Sequence, residues 1–318
     1  MSHVFLDGSD SRLYMEFDKI LPSAQGMGIW EDRAYVLYDT GVCGVYDLKT
    51  RKRDPLAQFP LGSYNAGSPT RDYLNHANSC MFSDIHYLGN PIPLLYVVIG
   101  TGTGEDEDGF YYRCAVENII CQVDSQGREQ YSAETVQIIS YCPGGEGEKG
   151  YEKPGWGCPA FLIDNQTSAL YMLSSRYRSK YECVPEGEKN TYIVTRFSLP
   201  KIDDGEWVRL TANDIRDQFA VESEVLFTQG GTIWDGKLYY TFGLPRRSYP
   251  VTVLVFDLKR KTLCAQIGNL NQAFREEEIE CCAFYEGKLL CNTSDGTIFE
   301  IVGADCEKKT VQLHDFDV

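Results

Sequence analysis

The sequence predicts an all-β protein built as a ring of five four-stranded antiparallel sheets, and three observations carry that prediction. One short pattern returns five times: small residues, an apolar pair ending in an aromatic, a polar turn, then a strand usually opening with Leu or Ala followed by Tyr. The copies read QGMGIW with AYVLY, ANSCMF with LYVVI, WGCPAF with LYMLS, GGTIW with LYYTF, and ECCAF with LLCNT. Self-similarity of this kind marks a repeat architecture rather than two unrelated domains. Aromatic residues make up 13% of the chain, with 21 Tyr against 5 Met, which suits side chains packing on pleated surfaces. The segments VYDLKTRK and VFDLKRKT alternate apolar and polar positions, as half-buried antiparallel strands require.

The elements follow in order. The first aromatic of each copy falls at Trp30, Phe82, Phe161, Trp234 and Phe284, so the five units use all 318 residues and a single domain is expected over 1–318. In the first unit, strand a spans 25–30 and strand b 34–39, strand c is GVYDLKT and strand d is PLAQFPL. The fourth unit matches it with QGGTIW, KLYYTFG, VLVFDLKRK and LCAQIG, and the other third strands are NIICQVD, YIVTRFS and TIFEIV. Small residues in strand a, among them Gly26, Gly28, Cys158, Gly230 and Gly231, fit a crowded axis where inner strands converge. LYMEFDKI precedes the first strand a just as each strand d precedes the next unit, so it is expected to close the ring as the outer strand of the last sheet. TVQLHDF at the C-terminus competes for the same place, and one sheet could then carry five strands.

Composition excludes some functions. A formal net charge of −16 argues against nucleic acid, whose binding depends on Lys and Arg displacing counterions, and against an anionic membrane surface. The first twenty residues lack a basic stretch followed by an apolar one, and no apolar run reaches the roughly 18 residues of a membrane span, so a cytoplasmic location is expected. The 12 cysteines form no CxxC pairs or Cys/His clusters and are read as reduced packing residues.

On these repeats the chain resembles the β-propeller superfamily, and its five-bladed type in particular. The resemblance covers the whole chain and is architectural. It implies a five-bladed β-propeller of four-stranded antiparallel blades, with the ring closed by N- and C-terminal strands. The WD-repeat pattern is not followed, because the one Trp-Asp pair, Trp234-Asp235, ends strand a and the GH partner is absent. The five-bladed arabinanase-type glycosidases are a poor match. The positions where that family carries acids hold Gln25 and Gly26, Ala77 and Asn78, and Trp156 and Gly157, whereas ordinary glycoside hydrolysis needs two carboxylates.

Ligands of such a ring are expected at the channel end where d-to-a and b-to-c loops emerge, because those loops vary without harming the core. The residues opening the inner strands are therefore the first candidates: Gln25, Asn75, His76, Asn78, Trp156, Gln229 and Glu280. They are polar and aromatic with few charges, a set that suits a sugar-like ligand or one that bonds its members to each other and to water. Arg176 and Arg178 follow strand b of the third unit, and Arg246 and Arg247 follow strand b of the fourth. On neighbouring blades they could grip a carboxylate or phosphate, or pair with acids such as Glu182 or Glu186. The loop GTGTGEDEDGF offers Glu105, Asp106, Glu107 and Asp108 to calcium, but without EF-hand spacing it reads as a solvated hairpin tip, and no cofactor is expected. His76 is a candidate general base, and with Glu280 it completes the catalytic candidates. The functional expectation is non-catalytic binding of a small polar or sugar-like ligand, or of a protein partner, at the channel mouth. The alternative is a carbohydrate-active hydrolase or lyase acting on a sugar or uronic acid through His76, Arg176, Arg246 and Glu280.

Overall fold

The computed structural model describes residues 3–64, 76–99, 112–141, 160–177 and 183–304, apart from the side chains at 40, 54–56 and 112. Two short strands, β1 (Val4–Asp7) and β2 (Arg12–Glu16), precede the first blade. That blade comprises β3 (Ala24–Trp30), β4 (Arg33–Tyr38), β5 (Val42–Asp47) and β6 (Lys52–Pro60). The second contains β7 (Cys80–Phe82), β8 (Leu95–Val98), β9 (Tyr112–Val123) and β10 (Glu129–Tyr141). The third runs through β11 (Ala160–Asp164), β12 (Ala169–Ser175) and β13 (Asn190–Ser198); β14 (Trp207–Leu210) then leaves to join the second blade before β15 (Ile215–Ser223) completes the third. The fourth holds β16 (Thr228–Trp234), β17 (Lys237–Leu244), β18 (Tyr249–Asp257) and β19 (Thr262–Gly268), and the fifth β20 (Ile279–Tyr285), β21 (Lys288–Thr293) and β22 (Thr297–Ile301). The protein is a five-bladed β-propeller.

The N-terminal β2 pairs antiparallel with β22 and supplies the outer strand of the fifth blade, so the ring closes by hydrogen bonds between the two ends of the propeller. TVQLHDF lies outside the described residues. Two sheets carry a fifth strand, and neither fifth strand comes from the C-terminus. β1 adds parallel to β19, and β14 adds parallel to β10. Each covers an outer edge that would otherwise present unpaired backbone groups.

Because the sheets are radial, both faces of every blade are buried and each gap between neighbours becomes an apolar layer. Tyr35 and Phe59 meet Val97 and Ile119 between the first two blades. Tyr96 and Tyr141 meet Phe161 and Phe197 between the second and third, and Tyr192 meets Phe242 between the third and fourth. Val253 and Ile267 meet Phe274 and Phe299 between the fourth and fifth. The closing layer joins Met15, Tyr38 and Tyr46 to Ala283 and Leu290. These layers explain the recurrent Tyr of strand b: Tyr35, Tyr96, Tyr171 and Tyr239 are all buried. Fully burying one large apolar side chain contributes roughly 1.5–3 kcal/mol.

Turn chemistry agrees with the ring. The β16–β17 hairpin turns on Asp235 and Gly236, and β20–β21 on Glu286 and Gly287, all with positive φ as two-residue type I′ turns need. Nine cysteines fall among the described residues and all are free thiols; burial raises the pKa of Cys43, Cys80 and Cys282 well above the ordinary thiol value and that of Cys281 to about 11. The acidic loop at 105–108 is outside the described residues.

At the axis the inner strands touch through backbone. The Gly26 N–H donates to the Ala77 carbonyl at 2.8 Å, and Ala77 holds a left-handed φ of 52° to present it. A Cβ added at Gly26 would stand 2.7 Å from that oxygen, and one at Gly230 would stand 2.8 Å from both the Asn78 carbonyl and Cys281 Sγ. Thr232 and Met81 meet across the same axis, Oγ1 to Sδ at 3.9 Å. Gly26→Ala and Gly230→Ala should each lower stability by about 1–3 kcal/mol in urea unfolding, because overpacking here pushes backbone rather than a side-chain tip. A loss below about 0.5 kcal/mol at both would mean that the axis is not packed as described.

Candidate functional site

Three inner strands carry a bulge at the same end of the axis. In β3, Gln25 and Gly26 fall between the Ala24–Tyr38 and Met27–Val36 pairs. In β16, Gln229 and Gly230 fall between Thr228–Phe242 and Gly231–Tyr240. In β20, Glu280 is the extra residue between Ile279–Thr293 and Cys281–Asn292. A bulge breaks the strict alternation of a strand and re-aims the side chain it carries. Each of the three therefore releases a polar residue from the sheet at the mouth, where regular pairing would direct it into an interblade layer.

Backbone contacts join these residues around the axis. Asn292 Nδ2 donates to the Gln25 carbonyl at 2.6 Å, and the Thr241 hydroxyl lies 2.7 Å from the Gly230 carbonyl and 3.0 Å from the Glu280 carbonyl. Gln229 Nε2 donates to Glu278 Oε1 at 3.0 Å and to the Gly243 carbonyl at 3.3 Å. Gln25 Nε2 donates to Ser23 Oγ at 2.9 Å. Gln25 Oε1, Asn78 Oδ1 and Asn292 Oδ1 are buried and have no hydrogen-bond partner among the described residues. An unsatisfied buried acceptor costs on the order of 1–3 kcal/mol, so these three oxygens are candidates to receive donors.

The mouth is also more acidic than the sequence suggested. Glu280 is 3% exposed, and burial, reinforced by the charges of Glu278, Asp39 and Asp295, pushes its pKa well above the ordinary carboxylate value. Burial also raises Glu278, opposed by the hydrogen bond from Gln229 and the positive charges of Arg246 and Arg247. Arg246 Nη2 pairs with Asp295 Oδ2 at 2.6 Å, and His76 Nδ1 lies 2.5 Å from Asp39 Oδ1. Asp295 and Asp39 are thus paired, while burial raises the pKa of the innermost carboxyl.

The structure brings Gln25, His76, Asn78, Gln229, Glu280, Arg246 and Arg247 to this end. Arg176 stands at the end of β12 with its guanidinium 5.4 Å from the Tyr177 ring centroid, and no described hydrogen bond or ion pair links it to the mouth carboxylates. Asn75, Trp156 and Arg178 lie outside the described residues. Sequence reasoning passed over Asp39, Thr241, Glu278, Asn292 and Asp295. Asp39 and Asp295 occupy b-to-c turns, the same loop class that singled out the arginines, so that rule applied to acids would have found both. Among the described residues no group of three or more His, Cys, Asp or Glu side chains is placed to hold a metal ion, and no helix is long and apolar enough to cross a membrane.

No protein-family model matches the sequence, and no curated protein matches it. Solved structures do. A glutaminyl cyclase from Myxococcus xanthus aligns over 94% of this chain and 97% of its own, at 12% identity and a TM-score of 0.45. The computationally designed Ika8 protein aligns over 91% of this chain and 99% of its own, at 9% identity and a TM-score of 0.35. Apo AztD from Citrobacter koseri aligns over 77% of this chain and 47% of its own, at 10% identity and a TM-score of 0.30. Likeness at these levels carries nothing about activity.

Folding takes up a proton at Glu280, and this fixes the sign of a pH test. The associated stability is complete below the ordinary carboxylate pKa of 4.5 and is lost as pH rises toward the folded value, at about 1.4 kcal/mol per pH unit for each proton. Glu280→Gln, which keeps the shape without the charge, should match the wild type in thermal unfolding near pH 4 and exceed its melting temperature at pH 7 and above. A variant less stable than wild type at pH 8 would show that the ionised carboxylate is what the fold holds.

Proposed function

We propose that the mouth binds a neutral, polyhydroxylated, sugar-like ligand without transforming it. What supports this reading is the set of buried oxygens without a partner among the described residues, Gln25 Oε1, Asn78 Oδ1 and Asn292 Oδ1, beside the buried Glu280, whose pKa is raised. Buried acceptors need donors, and a sugar's vicinal hydroxyls supply several from one small rigid body. The electrostatics favour a neutral ligand. An anion would face Glu278, Asp39 and Asp295, and Arg246 is already engaged by Asp295. The packed axis supports a shallow terminal site rather than passage through the ring.

A second reading rests on one further observation, the presence at the same mouth of a carboxyl whose pKa burial raises and an imidazole bonded to Asp39. Glu280 would donate a proton to a leaving oxygen, and His76, held by Asp39, would accept one from water or from a carbon acid. That is the chemistry of a carbohydrate-active hydrolase or lyase.

A panel of neutral monosaccharides titrated against the full chain by saturation-transfer NMR separates the readings. Binding is expected for at least one sugar, weakened about tenfold by Asn78→Ala or Gln25→Ala, with the sugar recovered unchanged. Release of product from an aryl glycoside, abolished by Glu280→Gln, would replace binding with catalysis. No saturation by any sugar would overturn the sugar reading and leave a protein partner as the occupant of this face.

A further inference from the structure

The opposite end of the ring, where the a-to-b turns gather, holds a cavity of about 290 Å³ that the mouth does not reach. Its walls are the aromatic markers of the repeat. Trp30 and Phe82 adjoin at 6.5 Å between centroids on the side of the first two blades, and Trp234 stacks on Phe284 at 5.1 Å and 16° on the side of the fourth and fifth. The third blade closes the remaining side with the turn after β11, which begins at Asp164, and Asp235 stands beside Trp234. The fifth marker, Phe161, is wholly buried and takes no part.

Two features separate this cavity from an ordinary packing gap. Trp234 is 50% exposed, although burying it would have been favourable and the equivalent Phe161 is fully buried. The charges are also one-sided: the lining includes two carboxylates and no Lys, Arg or His. His86 meets the far side of Trp30 edge-on at 5.9 Å and does not line the space. Asp164 accepts the Gln166 N–H at 3.1 Å on one oxygen and the Thr167 hydroxyl at 2.6 Å on the other, so it is fixed and keeps acceptor capacity.

We propose that this cavity is a second binding site and that it takes an alkylated ammonium group, caged by Trp30, Phe82, Trp234 and Phe284 and balanced by Asp164 and Asp235. Aromatic faces attract a cation within about 6 Å of their centroids, most strongly when it is poorly hydrated, and methylation weakens the hydration of an ammonium. The volume lies at the small end of ligand pockets, which run from roughly 300 to 1,000 Å³, and so fits a head group rather than a large molecule. An anion has no partner here. A neutral apolar ligand would gain from the rings but nothing from the carboxylates.

The test uses the full chain, with choline and tetramethylammonium as probes and 3,3-dimethylbutan-1-ol, the carbon isostere of choline, as the neutral control. Binding is read by Trp fluorescence and by the indole N–H resonances. Both cations should saturate, and the isostere should bind at least tenfold more weakly. Trp234→Ala should abolish binding, Trp234→Phe should keep part of it, and Asp235→Asn should weaken it several-fold. Trp234 is half exposed, so these variants should fold, as circular dichroism will check. Glu280→Gln should leave choline binding unchanged, which keeps this site distinct from the mouth. Equal affinity for choline and its isostere, equal binding by a neutral hexose, retention of binding in Trp234→Ala, or no saturation at all would each overturn the proposal.

Discussion

Close approach of the inner strands at the propeller axis is the constraint on which the remaining structure depends. Five sheets can share one axis only if the edges that meet there carry almost no side chain, and Gly26 and Gly230 supply that at the tightest points. The strands then touch through groups that are normally kept inside a sheet, such as the Gly26 N–H and the Ala77 carbonyl. This packing has a chemical consequence. The two ends of the axis become separate environments, one lined with amides and carboxylates and the other with indoles and phenyl rings.

In β3, β16 and β20 a bulge at the mouth end places one extra residue. Regular alternation would have buried Gln25, Gln229 and Glu280 in the apolar layers at a cost of several kcal/mol each. Re-aimed, they share one polar site. Its electrostatics combine pairing with burial: Arg246 pairs with Asp295, His76 hydrogen-bonds Asp39, and burial among these acids raises the pKa of Glu280.

The sequence made the ring legible because the layers between blades repeat. Tyr35, Tyr96, Tyr171 and Tyr239 fill equivalent places, so their spacing marks four of the five blades, and LYMEFDKI was recognisable as the closing strand from its position before the first inner strand. The added strands β1 and β14 were not legible, since parallel pairing at an outer edge imposes no periodic pattern of its own. At the mouth, the residues that open the inner strands could be named because departures from a repeat stand out. Asp39 and Asp295 were open to the same loop rule as the arginines, but their action on Glu280, like that of Glu278, is set by a proximity that no linear spacing encodes. The markers Trp30, Trp234 and Phe284 were read as architecture alone. Their exposure at a cavity depends on where the a-to-b turns converge, which a one-dimensional pattern does not specify.

The protonation of Glu280 is the central claim about the mouth, and carboxyl-selective carbon NMR tests it most directly. With side-chain carboxyl carbons of glutamate labelled, one resonance should be missing from Glu280→Gln. In the wild type that resonance should keep the chemical shift of a neutral carboxyl at pH 7 and move only at higher pH. A Glu280 resonance that titrates near pH 4.5 and is ionised at neutral pH would contradict the account.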